Sequence, residues 1–90
     1  MFTVKTSKGN YKIGFNHINE EGSISRYTVA KLYDMDKNVL ADSIAACAVE
    51  DNFNRSIGRK VSLARVIRNQ FDYDDRKLIW DEYFKIHKDR

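Results

Sequence analysis

NFNRSIGRKVSLARVIRN, residues 52–69, is the stretch in which the apolar period lengthens from two to about 3.6. Phe53, Ile57, Val61, Ala64 and Ile67 fall within one stripe of a helical wheel, and Asp51 stands where an N-cap is wanted. The spacing predicts an amphipathic helix. Opposite the stripe project Arg55, Arg59, Ser62, Arg65 and Asn69, which predicts an arginine-rich ridge in solvent. Gly58 inside a helix costs about 1 kcal/mol relative to alanine, so something is expected to offset it. Close packing against a sheet is the favoured explanation, and approach of a ligand is the other.

Upstream the period is two. Phe2 to Thr6 alternates, Ser7, Lys8, Gly9 and Asn10 supply turn chemistry, and Tyr11, Ile13 and Phe15 resume the alternation, which reads as a hairpin. Asn16 to Ser25 is polar with Gly22, and reads as a loop. Arg26 to Met35 predicts a third strand with Tyr27, Val29 and Tyr33 on one face and Ala30 and Leu32 on the other. Asp36, Lys37 and Asn38 make a polar turn. Val39 to Val49 mixes helix-favouring alanines with Val39, Leu40, Ile44 and Val49, and is read as a fourth strand.

Downstream, Asp72 with Asp75 three positions on resembles a capping box, so a second helix is expected from about Asp74 to Lys88, with an apolar face of Ile79, Trp80, Tyr83, Phe84 and Ile86. The expected fold is α+β: a four-stranded antiparallel meander with two C-terminal helices on one face, ββββαα. The other face of the sheet is then open and displays Tyr27, Val29, Lys31 and Tyr33.

The chain has 90 residues, no proline, four glycines, 42% hydrophobic residues and 32% charged ones, which suits a single domain spanning 1–90 with one core. No apolar run approaches the roughly 18 residues needed to cross a bilayer, and no secretory signal is legible at the amino terminus. A soluble protein of the cytoplasm is expected. Cys47 is the one cysteine, so no disulfide within the chain and no cysteine-rich metal site is expected. Net charge is +3, yet it is unevenly spread: residues 51–70 carry Arg55, Arg59, Lys60, Arg65 and Arg68 against Asp51 alone.

Catalytic chemistry finds little purchase. His17 and His87 stand in no ligand pair and beside no candidate nucleophile such as Ser56 or Ser62. Cys47, in an alanine-rich strand, reads as a small buried hydrophobe. Asp72, Asp74 and Asp75 lack the spacing and distal glutamate of a calcium loop, and helix capping accounts for them. Trp80, Tyr83 and Phe84 at helical spacing are read as core. The arginine ridge has two readings: an ordinary solvated helix face, or a surface whose guanidinium groups grip phosphates or carboxylates.

Residues 47–65 carry a further signal. Cys47, Asp51, Phe53, Ile57-Gly58-Arg59, Leu63 and Arg65 resemble a pattern found in small, mostly uncharacterised proteins encoded by phages and prophages. The resemblance implies an accessory protein expressed in a bacterial host, of a class whose members often block host defence by stoichiometric binding, and it brings no catalytic residues with it. Three functions follow as expectations. The first is a non-catalytic, anti-CRISPR-like inhibitor that docks on a host protein through Arg55, Arg59, Ser62, Arg65 and Asn69 and the sheet face at Tyr27, Lys31 and Tyr33. The second is a nucleic-acid binder using the same arginines with Tyr27 or Tyr33 stacking on bases. The third is a sponge for a nucleotide signal, with Arg59 or Arg65 against phosphate in a dimer. No cofactor or metal is expected, and the chain is read as a monomer or homodimer.

Overall fold

The computed structural model describes residues 1–19, 26–47 and 55–87, and the side chains of Asn19, Arg26, Cys47 and Arg55 are outside that description. Four strands, β1 (Phe2–Thr6), β2 (Gly9–Asn19), β3 (Arg26–Tyr33) and β4 (Val39–Cys47), are followed by two helices, α1 (Arg55–Ile67) and α2 (Tyr73–Ile86). The sheet is an antiparallel meander in the order β1-β2-β3-β4, as the alternation predicts.

Each connection has a local cause. Between β1 and β2, Thr6 pairs with Gly9 across a two-residue loop, Thr6 Oγ1 donates to Gly9 O at 2.9 Å, and Gly9 takes a φ of +127° that side chains rarely adopt. Between β3 and β4, Asp34 accepts from the backbone N–H groups of Asp36 and Asn38, at 2.9 and 2.8 Å, and from Asn38 Nδ2. Lys37 there is left-handed, with φ 68°. The polar stretch after Phe15 is not yet a loop: β2 runs on to Asn19, with Asn16, His17 and Ile18 opposite Val29, Thr28 and Tyr27. Pairing with β3 overrides the polar composition, and His17 Nδ1 lies 2.9 Å from Thr28 Oγ1.

The register decides which residues face the helices. Phe2 lies opposite Ile13, Ile13 opposite Leu32, Phe15 opposite Ala30 and Ala30 opposite Ser43, so these share the inner face. Against them pack Leu63, Val66 and Ile67 of α1, Phe71 of the α1–α2 turn, and Ile79 and Tyr83 of α2. α1 lies on β3 and β4, and α2 on β1.

The phase of α1 differs from the wheel reading. Ile57 and Val61, expected in the core, are 58% and 36% exposed, and Ala64 is exposed as well. Ser62, expected in solvent, is fully buried. The cause is the small-residue surface of β3 and β4. Thr28, Ala30, Ala41, Ser43 and Ala45 leave room for a close helix approach, and α1 answers with its own small residues, Gly58 and Ser62. A Cβ at Gly58 would stand 3.1 Å from Thr28 Cβ and closer still to its hydroxyl, so the expected packing explanation of this glycine holds. Ser62 Oγ donates to Gly58 O at 2.7 Å, which satisfies the hydroxyl inside the interface, and Ser43 Oγ donates to Ser62 O. Asp51, the expected cap, and Phe53 lie outside the described residues.

α2 buries a narrower stripe than expected. Ile79 and Tyr83 are buried and Trp80 is half-buried, but Phe84 is 45% exposed and Ile86 is also exposed, because α2 lies at the border of the sheet, chiefly over β1. At its start Asp72 caps, accepting from Asp75 N at 3.0 Å. The Asp75 carboxylate goes elsewhere than a capping box predicts. It accepts from Ser7 N at 2.8 Å and Ser7 Oγ at 2.6 Å, tying the β1–β2 loop to the first turn of α2.

These hydrogen bonds hold the Asp75 carboxyl below its ordinary value of 3.8, the Ser7 hydroxyl contributing most and the Ser7 N–H next. A depressed folded-state value stabilises the fold above the ordinary one, and that contribution disappears as pH falls through the folded value. Urea unfolding followed below pH 4 is expected to show Asp75→Asn losing less stability with acid than the parent does. Parallel curves for the two proteins would remove Asp75 as a source of acid sensitivity.

Candidate functional site

The residues singled out as a ridge do not gather on one surface. Arg59 is half-buried and turns toward α2, its Nε donating to the Tyr83 hydroxyl at 3.3 Å. Ser62 faces the sheet. Arg65 swings the other way, and its Nη1 donates to Ile44 O at 2.8 Å. Asn69 is exposed in the α1–α2 turn, and the side chain of Arg55 is outside the described residues. A wheel phased on Ile57 and Val61 misplaces these side chains because the burying face lies to the other side, on Leu63, Val66 and Ile67.

Arg65 has a role that its sequence position conceals. β4 is a sheet edge, and Ile44 O on this strand accepts from the Arg65 guanidinium. Val39, Leu40 and Ile44 on this strand are exposed, and Asp42 is its one charged residue. Long apolar edges invite pairing with another chain, and a cation laid across the edge discourages it. Arg65→Ala is expected to raise the weight-average mass in sedimentation velocity relative to the parent at equal concentration. An unchanged distribution would remove this guarding role.

Tyr27, Lys31 and Tyr33 lie on the open sheet face, as expected, each half-buried by its neighbours. Lys31 stands directly across from Asp42, so the positive charge on this face meets a carboxylate. Tyr33, Lys31, Val29, Gly14 and Met1 line a shallow hollow of about 240 Å³ there.

A larger feature lies on the far side of the helical layer. Ala64, Ile67, Arg68, Tyr73, Arg76, Lys77 and Trp80 line a groove of about 450 Å³ between α1 and α2. Its floor is apolar and its border cationic. Arg76 Nη1 reaches Arg68 O at 3.5 Å, which lays one guanidinium across the end of α1. Trp80 stacks on Phe84 with centroids 5.7 Å apart and an interplanar angle of 26°, and Lys60 Nζ sits 5.8 Å from the Phe84 centroid. Val61 and Ile57 carry the apolar surface further along α1.

Among the described residues no carboxylate lines this groove, and Arg68, Arg76 and Lys77 take part in no ion pair. Asp81 and Glu82 of α2 lie on the other flank of that helix, with Leu78 and Lys85, against Thr3 and Lys5 of β1. The sequence holds a signal for the groove that the wheel obscures: residues 52–71 contain no acid, and Tyr73 and Trp80 are two helical turns apart. Among the described residues no cluster of three or more His, Cys, Asp or Glu is placed to hold a metal, and no helix is long and apolar enough to cross a membrane. Comparison with protein-family models, with curated proteins and with solved structures returns no match.

Proposed function

We propose that the protein acts by non-catalytic, stoichiometric binding of a host protein, as an anti-defence accessory protein of the phage type working in the bacterial cytoplasm. The observation that carries this reading is the seam of exposed Val61, Ala64 and Phe84 with half-buried Trp80, bordered among the described residues by Lys60, Arg68, Arg76 and Lys77 without a carboxylate. Exposed aromatic and aliphatic side chains ringed by cations are the make-up of an interface centre and its rim. The contact surface is therefore moved from the expected ridge to the outer side of the two helices.

Nucleic acid is the second reading, favoured by the presence of Tyr73 and Trp80 in the same groove as Arg68, Arg76 and Lys77. A nucleotide sponge with Arg59 or Arg65 against phosphate in a dimer has less support, since Arg59 donates to the Tyr83 hydroxyl and Arg65 to Ile44 O.

The test is affinity capture of the tagged protein and its Val61→Asp variant from infected host cells, with quantitative mass spectrometry. A host protein recovered in near-equal amount with the parent, and reduced roughly tenfold with the variant, supports the reading. Equal recovery by both, or no host protein, overturns it. Binding to a short oligothymidylate that weakens steeply with salt would instead favour the nucleic-acid reading.

A further inference from the structure

We infer that the α1–α2 groove receives an acidic amphipathic helix of the partner, an inference that rests on the binding reading above. Three properties of the groove select this occupant.

The first is charge. Arg68, Arg76 and Lys77 border the groove, Lys60 lies beside its extension over Phe84, and no carboxylate among the described residues lines it. A neutral or basic segment would leave these cations uncompensated as water is driven off, whereas glutamates or aspartates on the flanks of the incoming segment would meet them.

The second is the backbone. The groove is walled by two helices, so the main-chain N–H and C=O groups along its walls are engaged within the helices themselves. An extended peptide laid there would bury its own amides against side chains that offer no main-chain pairing, which is costly. A helix satisfies its backbone internally and brings only side chains to the contact. The open edge of β4 is where an extended partner would pair, and Arg65 sits across it.

The third is the distribution of phosphate-binding elements. A phosphate favours the free N–H groups of a helix N-terminus. At α2 that position is held by Asp72, with Asp74 and Asp75 in the first turn, while the groove end of α1 presents carbonyls, one of which already takes the Arg76 guanidinium. The cations are instead spaced along the groove, which suits carboxylates distributed along a helix better than one polyanion threaded end to end. The aliphatic seam of Val61 and Ala64 likewise suits leucine or isoleucine better than a base. From Ile57 to Ile67 α1 rises about 15 Å, so the matching segment is about ten residues long, close to three turns.

The probe is a synthetic three-turn peptide, acetylated and amidated, with leucines on one face and glutamates on both flanks, and a second peptide with every glutamate replaced by lysine. Binding is read from Trp80 emission and from amide chemical shifts. The expected result is saturable binding of the glutamate peptide, shifts confined to residues 57–68 and 73–84, binding at least roughly tenfold weaker for the lysine peptide, and a similar loss in Arg68→Glu/Lys77→Glu. Both substituted residues are exposed, so that variant keeps the fold, which circular dichroism verifies. No binding of the glutamate peptide up to about 1 mM, equal binding of the lysine peptide, or shifts centred on β4 overturns the inference. Tighter binding of oligothymidylate than of the glutamate peptide overturns it in favour of nucleic acid. If a captured host protein is lost with Val61→Asp but retained with Arg68→Glu/Lys77→Glu, the binding reading stands and the acidic helix falls.

Discussion

Gly58→Ala is expected to lower the free energy of unfolding by about 2 kcal/mol, although alanine is the better helix former by about 1 kcal/mol. The sign is decided by the interface with β3. The new Cβ would stand 3.1 Å from Thr28 Cβ and nearer still to the Thr28 hydroxyl, so α1 must move off the sheet or Thr28 must turn. Thr28 cannot turn freely, since it is fully buried and its Oγ1 lies 2.9 Å from His17 Nδ1. Overpacking of this kind costs roughly 1–3 kcal/mol, and a Cβ–Cβ approach of 3.1 Å belongs at the upper end. Urea unfolding reads the difference directly. In a Thr28→Ala background the same substitution is expected to cost less than about 1 kcal/mol, because the hydroxyl, the atom nearest the new carbon, is gone. A neutral or stabilising Gly58→Ala in the parent would mean that α1 does not rest on β3.

A larger loss is expected at Tyr83. Its ring is fully buried and touches Phe2, Phe15, Trp80, Phe84 and His87, with centroid distances of 4.9–6.4 Å. It joins the sheet, the groove wall and the end of α2. Tyr83→Ala is expected to cost about 4 kcal/mol, the usual loss for removing a large buried ring. A domain of this size has roughly 4–13 kcal/mol in total, and each kcal/mol moves Tm by about 4–8 °C. The melting temperature should therefore drop by roughly 15–30 °C, as read by circular dichroism. Tyr83→Phe keeps the ring and removes the hydroxyl that accepts from Arg59 Nε, and about 1 kcal/mol is expected. A small effect of the alanine variant would place the centre of the core elsewhere.

The strands are legible because period two survives wherever one face is buried: Phe2 and Val4, Ile13, and Ala30 with Leu32 all point inward as their alternation requires. Gly9 and the Asp34–Asn38 turn are legible because backbone geometry there depends on a few neighbouring residues. The phase of α1 is a different kind of question. Ile57/Val61/Ala64 and Leu63/Val66/Ile67 are two apolar stripes on one helix, and local pattern cannot rank them. The choice falls to Gly58 and Ser62, whose small size matters only once Thr28 and Ser43 lie across from them, and those residues are 19 or more positions away in sequence. The candidate site inherits that ambiguity. Of the expected contact residues, Arg59 and Arg65 make internal hydrogen bonds and Ser62 is buried, while the groove side chains Arg68, Arg76 and Lys77 emerge only when two helices are set side by side. The same holds for Asp75. Its spacing from Asp72 marks a helix start, but nothing local says that its carboxylate will bind Ser7.

The order of elements has a consequence for biosynthesis. β1, with Phe2 and Val4, is translated before α2, which covers it and follows all four strands and α1. The emerging hairpins therefore present their inner side to the cell until Ile79 and Tyr83 clear the ribosomal tunnel. During that interval the uncovered apolar side and the unpaired strand edges favour association with neighbouring nascent chains, so prompt addition of the helices limits it.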